Sequence, residues 1–439
     1  MTDRVFQPET LAIHAGQIPD RETGARALPI YQTTSFVFDS AEHAAALFNL
    51  QTFGNVYSRL SNPTVAALEE RVAALEGGRA AVASARGMAA EAMALMTLLQ
   101  AGDHVVAAGA LYGGTVTMLA VSLAKFGITT TFVDATNPDA FAAAMRPETR
   151  AVFAESLGNP SLSVLDIAAV ADVAHAHGLP LVIDNTVPSP FLCNPLAFGA
   201  DIVVHSATKY LAGHGTTLGG VIVEGGKFPW DNGKFPGMTE PSDGYHGVKF
   251  YETFGDFGFC MRARMETLRV YGAALSPMSA WQILQGVETL PLRMERHCAN
   301  ALKVAEFLRD HHQVSWVNYP GLADHPQHAL VQRQMRSIGG VPGASGLLAF
   351  GVRSPGGGGL AAGVKFIESA RFMSHLANIG DTRTLMIHPA STTHRQLSDR
   401  QQLAAGVLPD MVRLSVGLEH IDDILWDIDQ ALAAAAAAD

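Results

Sequence analysis

Cysteine is scarce in this chain. The three present, Cys193, Cys260 and Cys298, lie far apart and in no CxxC spacing, which excludes a disulfide framework and a thiolate zinc centre. Charge is thin as well: 16% of residues are Asp, Glu, Lys or Arg, and 30 basic against 41 acidic side chains give a formal charge of -11. No basic cluster offsets that balance locally, so a groove for nucleic acid is excluded. No run approaches the roughly 20 apolar residues of a membrane span. The N-terminal MTDRVFQPET also lacks the apolar centre of a secretion signal. The phosphate loop GxxxxGK[ST] is missing too. What remains is a soluble protein expected in the cytoplasm, acting on small molecules and holding no metal.

What the chain does have is apolar mass. Hydrophobic residues make up 48% of 439, more than one core usually uses, so two domains behind an N-terminal arm are expected. The arm, 1–61, mixes Pro, Gly and polar residues without periodicity and reads as an extended segment lying on a partner subunit. From Asn62 the spacing of Val65, Leu68, Val72 and Leu75, with Pro63 before them and Gly77-Gly78 after, predicts a helix. Through 62–265, short β-rich runs (AVFAES, LPLVID, ADIVVHS, GGVIVE) alternate with helical stretches such as 166–177. That order predicts an α/β fold, a mostly parallel sheet with helices on both faces. The segment 226–258, aromatic and Gly-rich, reads as a long functional loop. A C-terminal α/β domain, 266–439, opens on an amphipathic stretch at 278–312 broken near Pro291, passes Gly-rich punctuation at 339–346 and 356–359, and ends in a helix that frays into the alanine tail.

In such folds ligands gather at the carboxyl ends of the strands. Asp184 ends LPLVID, and Lys209 lies just beyond DIVVHS, preceded by Ser206 and Thr208. A lysine that can form an imine, an apolar-flanked acid that can keep a pyridine nitrogen protonated, and two hydroxyls for a dianionic phosphate are the requirements of pyridoxal 5'-phosphate (PLP). Taken singly, Lys209 reads as a surface lysine and Asp184 as a turn carboxylate; their placement together favours the cofactor. The run GHGTTLGG from Gly213 approaches a dinucleotide fingerprint, but its last spacing is one residue too long and no acidic ribose partner follows suitably, which disfavours an NAD-dependent oxidoreductase.

LVIDN at 181–185, HSATKY at 205–210, YSRLSNPT at 57–64 and VRLSVGLE at 412–419 together resemble the PLP-dependent Cys/Met-metabolism (transsulfuration) family, from about Thr10 to about Leu432. The resemblance implies the type I PLP transferase fold and a homotetramer of dimers with shared active sites. It implies catalytic roles for Lys209, Tyr112 and Asp184, with Tyr112 stacking on the pyridine ring, Asn159 meeting its phenolic oxygen and Thr186 orienting Asp184. Gly87, Met88, Ser206 and Thr208 would hold the phosphate, joined by Tyr57 and Arg59 from a neighbouring subunit. Arg413 would fork the substrate carboxylate, with Tyr57 and Thr384 as further substrate contacts. Each also has a plainer reading: the tyrosines as packing aromatics, the arginines as surface charges, Asn159 before Pro160 as a turn residue.

The implied chemistry is γ-replacement on an acylated homoserine by sulfide or a small thiol. Gly114, two residues after Tyr112 where the γ-lyases of the family carry Cys, disfavours the lyase reaction. FPGMTEPSDGYHG and GDTRTLMIHPASTTH resemble the sulfhydrylase branch. An acetyl donor is expected over a succinyl one, because 230–258 offers only Lys234 and Lys249 as cations for a second carboxylate, amid Glu240, Asp243 and Glu252. O-Succinylhomoserine as donor and cystathionine γ-synthase chemistry are the enzymatic alternatives, and a PLP-binding protein without turnover is the non-enzymatic one. One departure concerns the phosphate turn, where Arg86 stands before Gly87 in place of the family's usual Ser.

Overall fold

The computed structural model describes residues 5–353, 359–393, 395, 402–403 and 406–436. Gly356 to Gly358 of the expected Gly-rich punctuation, and the last three residues, 437–439, lie outside that set. The first sheet has seven strands, β1 (Ala80–Ser84), β2 (His104–Ala108), β3 (Thr129–Val133), β4 (Thr149–Glu155), β5 (Leu181–Asp184), β6 (Ile202–His205) and β7 (Gly220–Glu224), in the order β1-β7-β6-β5-β4-β2-β3. All pairings are parallel except those of β7, which runs against both β1 and β6. The central strands are buried throughout and apolar except at one end residue each, as a sheet covered on both faces requires. GHGTTLGG leads into the antiparallel strand β7 and not into a helix, so it lacks the strand–turn–helix geometry of a dinucleotide site.

The helix Pro63–Glu76 has the ends its sequence predicts. The Asn62 side chain accepts from the Thr64 amide at 3.0 Å, Pro63 occupies the first turn, and Gly77 closes the helix at φ +70°. The long amphipathic stretch forms two helices, Pro277–Glu288 and Leu290–Asp310, parted at Thr289 with Pro291 in the first turn of the second. A second sheet follows: β8 (Val314–Asn318), β9 (Leu347–Val352), β10 (Ser374–His375), β11 (Leu385–Ile387) and β12 (Met411–Ser415), ordered β10-β11-β12-β9-β8 and antiparallel except for β10 with β11. Helices Gly359–Ser369 and Ile421–Ala436 pack on each other beside it.

Two segments differ from their sequence reading. The arm carries two short helices, Pro8–His14 and Ala41–Phe48, the second capped by the Ser40 hydroxyl accepting from His43 N. Within 226–258, Phe228, Trp230 and Phe235 are buried and pack edge-on with centroids 4.7 to 5.6 Å apart, while Phe259 stacks on Trp230. Their packing is tertiary and leaves no periodicity in the sequence, so much of this apparent loop is a small aromatic core.

Candidate active site

Because β4, β5 and β6 are parallel, their carboxyl ends share one edge of the sheet. Asp184 is the last residue of β5, Glu155 the last of β4 and in register with it, and Lys209 follows the end of β6 by four residues. The lysine turn is held from behind by Arg293, which donates to the carbonyls of Tyr210 (2.8 Å), Leu211 (3.3 Å) and Gly286 (2.6 Å). Arg293 has no carboxylate partner among the described residues, and burial lowers its pKa to about 10.

The Lys209 amine donates to Asn378 Oδ1 at 2.5 Å. Burial, reinforced by the nearby Arg413 charge, pulls its pKa from 10.5 down to about 8. Arg413 projects from β12 and spans the two sheets: Nη1 donates to Asn159 Oδ1 at 2.8 Å and Nη2 to the Asn378 carbonyl at 3.3 Å. It too lacks a carboxylate partner among the described residues, and burial lowers its pKa to about 10. A buried guanidinium bonded only to neutral oxygens is matched to an incoming carboxylate.

Asp184 Oδ1 accepts from the Thr186 amide at 2.8 Å, and the Thr186 hydroxyl accepts from the Ser206 amide at 2.7 Å. One threonine therefore couples the acid to the turn that carries Ser206. At that turn, an added Cβ on Gly87 would stand 2.5 Å from Ser206 Cβ and 2.8 Å from its Oγ, so only glycine admits the approach of helix Gly87–Leu98 to Ser206. No side chain caps this helix, and the amides of Gly87 and Met88 open toward the turn as first-turn donors. The Arg86 side chain is exposed and its guanidinium pairs with nothing among the described residues. Thr208 is turned inward: its hydroxyl donates to the Gly219 carbonyl at 3.2 Å and accepts from the Gly219 amide at 3.0 Å.

Tyr112 is half exposed, as a ring awaiting a stacking partner would be. A Cβ on Gly114 would meet its Cε1 at 2.5 Å, so the Cys of the γ-lyases could not stand there without moving that ring. Tyr57 and Arg59 are not drawn to this lysine. The Arg59 guanidinium sits 5.2 Å over the Tyr57 ring, and both border a separate cleft of about 510 Å³ with Tyr245, His246 and Arg269. Thr384 is fully buried and committed to the C-terminal fold, donating to Glu419 at 2.8 Å and accepting from the Gly417 amide at 2.9 Å. That placement corrects its expected contact with substrate.

Three carboxyls, Asp184, Glu155 and Glu91, are buried around the site, and no Lys or Arg pairs with any of them among the described residues. Burial raises all three pKa values, and the Asp184 charge raises those of Glu155 and Glu91 further. A protonated pyridine ring against Asp184, a phosphate at Gly87, Met88 and Ser206, and an aldehyde at Lys209 would suit this donor set.

The geometry thus defines a PLP site of the type I transferase fold, and the chain belongs to the Cys/Met metabolism PLP-dependent enzyme family, whose profile matches residues 9–433. It is 55% identical over 437 residues to the O-acetyl-L-homoserine sulfhydrylase of Leptospira meyeri, covering 98% of this chain and 97% of that one. The homocysteine/cysteine synthase of Saccharomyces cerevisiae is 44% identical over 434 residues, covering 96% and 97%. A Campylobacter jejuni crystal structure assigned as an O-acetylhomoserine (thiol)-lyase superposes with a TM-score of 0.93 at 39% identity, covering 98% of this chain and all of that one, and carries a pyridoxyl-lysine monophosphate.

One consequence of the lysine's surroundings concerns pH. With a pKa of about 8, roughly a tenth of the Lys209 amine is neutral at pH 7, against well under a thousandth for an ordinary lysine. Only the neutral amine attacks an aldehyde. Capture of added PLP by cofactor-free protein, followed by the growth of visible absorption, is expected to speed up with pH and level off above about 8. A rate still rising steeply through pH 10 would mean an unperturbed lysine.

Proposed function

We propose that the protein is an O-acetylhomoserine sulfhydrylase, replacing the acetate of O-acetylhomoserine by sulfide, or a small thiol, to give homocysteine, or methionine, and acetate. The reading is carried by near-complete alignment with relatives bearing that name, at up to 55% identity, on a chain whose Lys209 and Arg413 both bond Asn378 and whose Asp184 ends β5. Bound PLP supplies an electron sink for charge developing on the substrate. Arg413 holds the substrate α-carboxylate, which exchanges for the contact with Asn159. Asp184 keeps the ring nitrogen protonated. Lys209, its amine free in the substrate complex, would take protons from substrate Cα and Cβ, and return them after acetate has left Cγ and sulfur has added there.

The donor preference rests on the acyl end. Lys234 donates to the His177 carbonyl at 2.7 Å and Lys249 pairs with Glu252 at 2.9 Å, so both cations of the 230–258 segment are already engaged. A succinyl carboxylate would be buried without either. With sulfide as acceptor, the specificity constant for the acetyl ester is expected to exceed that for the succinyl ester by at least about tenfold. A preference for the succinyl ester, or for cysteine over sulfide, would move the assignment to another branch of the family.

The exposed position of Tyr57 and Arg59, away from their own lysine, supports a homotetramer of dimers in which they reach the neighbouring cofactor phosphate. Val5, Val37 and Phe53 are likewise exposed along the arm, at 87%, 95% and 73%. Mixing Arg59→Ala chains with Lys209→Ala chains is expected to restore part of the activity that each lacks alone, since one site of the hybrid then has both groups. Verified hybrids with no gain would count against shared sites. The three cysteines are free and buried, and no helix among the described residues is long and apolar enough to cross a membrane; both features are consistent with a cytoplasmic location.

A further inference from the structure

Glu155 has no part in the chemistry above, yet it lies beside Asp184 on the adjacent strand, in register with it. Its two oxygens face two different loops: Oε1 accepts from the Tyr112 amide at 2.5 Å and Oε2 from the Asn159 amide at 3.2 Å. Tyr112 opens the turn that presents the stacking ring. Asn159 carries the amide oxygen that receives Arg413, whose other nitrogen reaches the Asn378 carbonyl, and Asn378 Oδ1 receives Lys209. Glu155 therefore begins a continuous chain of hydrogen bonds through Asn159, Arg413 and Asn378 to the reactive amine. The Tyr112 turn is fastened a second time, where the Thr115 hydroxyl donates to Glu91 Oε2 at 2.7 Å.

We propose that Glu155 is a positioning residue, which fixes the spacing between the ring-stacking Tyr112 and the Asn159–Arg413 pair so that cofactor ring and substrate carboxylate are set from one buried carboxyl. This rests on the reading of the site as a PLP site for an amino-acid substrate. The plainer alternative is a loop staple of the kind the fold uses elsewhere. Glu224, buried at the end of β7, accepts from the amides of Phe259 (3.2 Å) and Cys260 (2.8 Å), neither of them a candidate site residue. Two features separate Glu155 from it. Both loops it joins carry site residues, and it sits against another buried carboxyl, an arrangement unfavourable for stability alone. A cation on the ring held by Asp184 offsets that repulsion, so the cost falls on the cofactor-free chain and is relieved on binding.

Glu155→Gln and Glu224→Gln form a matched pair, each turning one acceptor oxygen into an amide that opposes a backbone N–H. In Glu155→Gln the dissociation constant for PLP and the KM for O-acetylhomoserine are expected to rise, each by about 5- to 100-fold, the size that follows when a buried donor loses its acceptor. The visible absorption of the bound cofactor should shift. In Glu224→Gln, melting temperature should fall while PLP affinity, spectrum and KM stay within about twofold of wild type, the usual effect of a change remote from the site. If Glu155→Gln lowers only the melting temperature, as its control does, the proposal is overturned. Should the Gln variant not fold, Glu155→Asp, which keeps the carboxyl group but cannot span both loops, takes its place with the same readouts and the same two outcomes. The PLP arm does not depend on which ester is the substrate. Absence of PLP binding by the wild-type protein would sink the reading of the site and this role with it, whereas a Glu155→Gln variant that loses only melting temperature sinks the role alone.

Discussion

Lys209→Ala is expected to leave the protein folded and to reduce turnover on the order of 10⁴-fold or more, because one substitution removes both the covalent anchor and the group that moves substrate protons. Folding should not suffer. Burial disfavours the ammonium form of this side chain, so its loss relieves a cost and leaves Asn378 Oδ1 to water. The variant should still bind PLP weakly through Gly87, Met88, Ser206 and Asp184, without the absorption of the lysine-bound cofactor. Turnover of O-acetylhomoserine with sulfide, and the spectrum after dialysis, check both parts. Retention of that absorption band would show that another lysine holds the cofactor.

Asp184→Asn is expected to separate activity from stability. An amide cannot hold the ring nitrogen in its protonated state, and loss of one preorganised electrostatic contact typically lowers the rate by about 10²–10³-fold. Exchange of the substrate α-proton with solvent should fall by that order. Stability should move the other way. The folded-state pKa of Asp184 is raised by burial, so at neutral pH its ionised form opposes folding in the cofactor-free chain, beside Glu155 and Glu91. Removing the charge should hold or raise the melting temperature of that form. Wild-type exchange rates in this variant would mean that a different acid serves the ring.

The parts of the site that stood out in the sequence are those with a local signature. Asp184 ends an apolar strand, Lys209 follows another, and Gly87 opens a helix shortly after a third, so each becomes a candidate by reading where strands stop. The residues that were missed are bound by distance. Asn378 meets Lys209 across 169 positions from an irregular stretch with no pattern of its own, and nothing near either residue announces the other. Glu155 was missed although a signal existed. It ends β4 within AVFAES as Asp184 ends β5 in LPLVID, and a second acid at the same edge of a parallel sheet points to the same site. Thr384 shows the opposite error, since the resemblance carried it into the substrate pocket while its hydroxyl was needed by Glu419 and Gly417. The antiparallel course of β7 was equally hidden, because a buried strand reads as the same apolar run in either direction.

The central claim is that Lys209 is the residue to which the cofactor is joined. Borohydride reduction of the PLP-loaded enzyme fixes the cofactor to the amine that holds it, and digestion followed by mass spectrometry of the peptides locates the adduct. The account predicts a single phosphopyridoxyl adduct on the peptide containing Ser206, Ala207, Thr208 and Lys209, placed by fragmentation on Lys209 and absent when O-acetylhomoserine has displaced the lysine before reduction. An adduct on any other lysine, or one at Lys209 that substrate does not diminish, would contradict it.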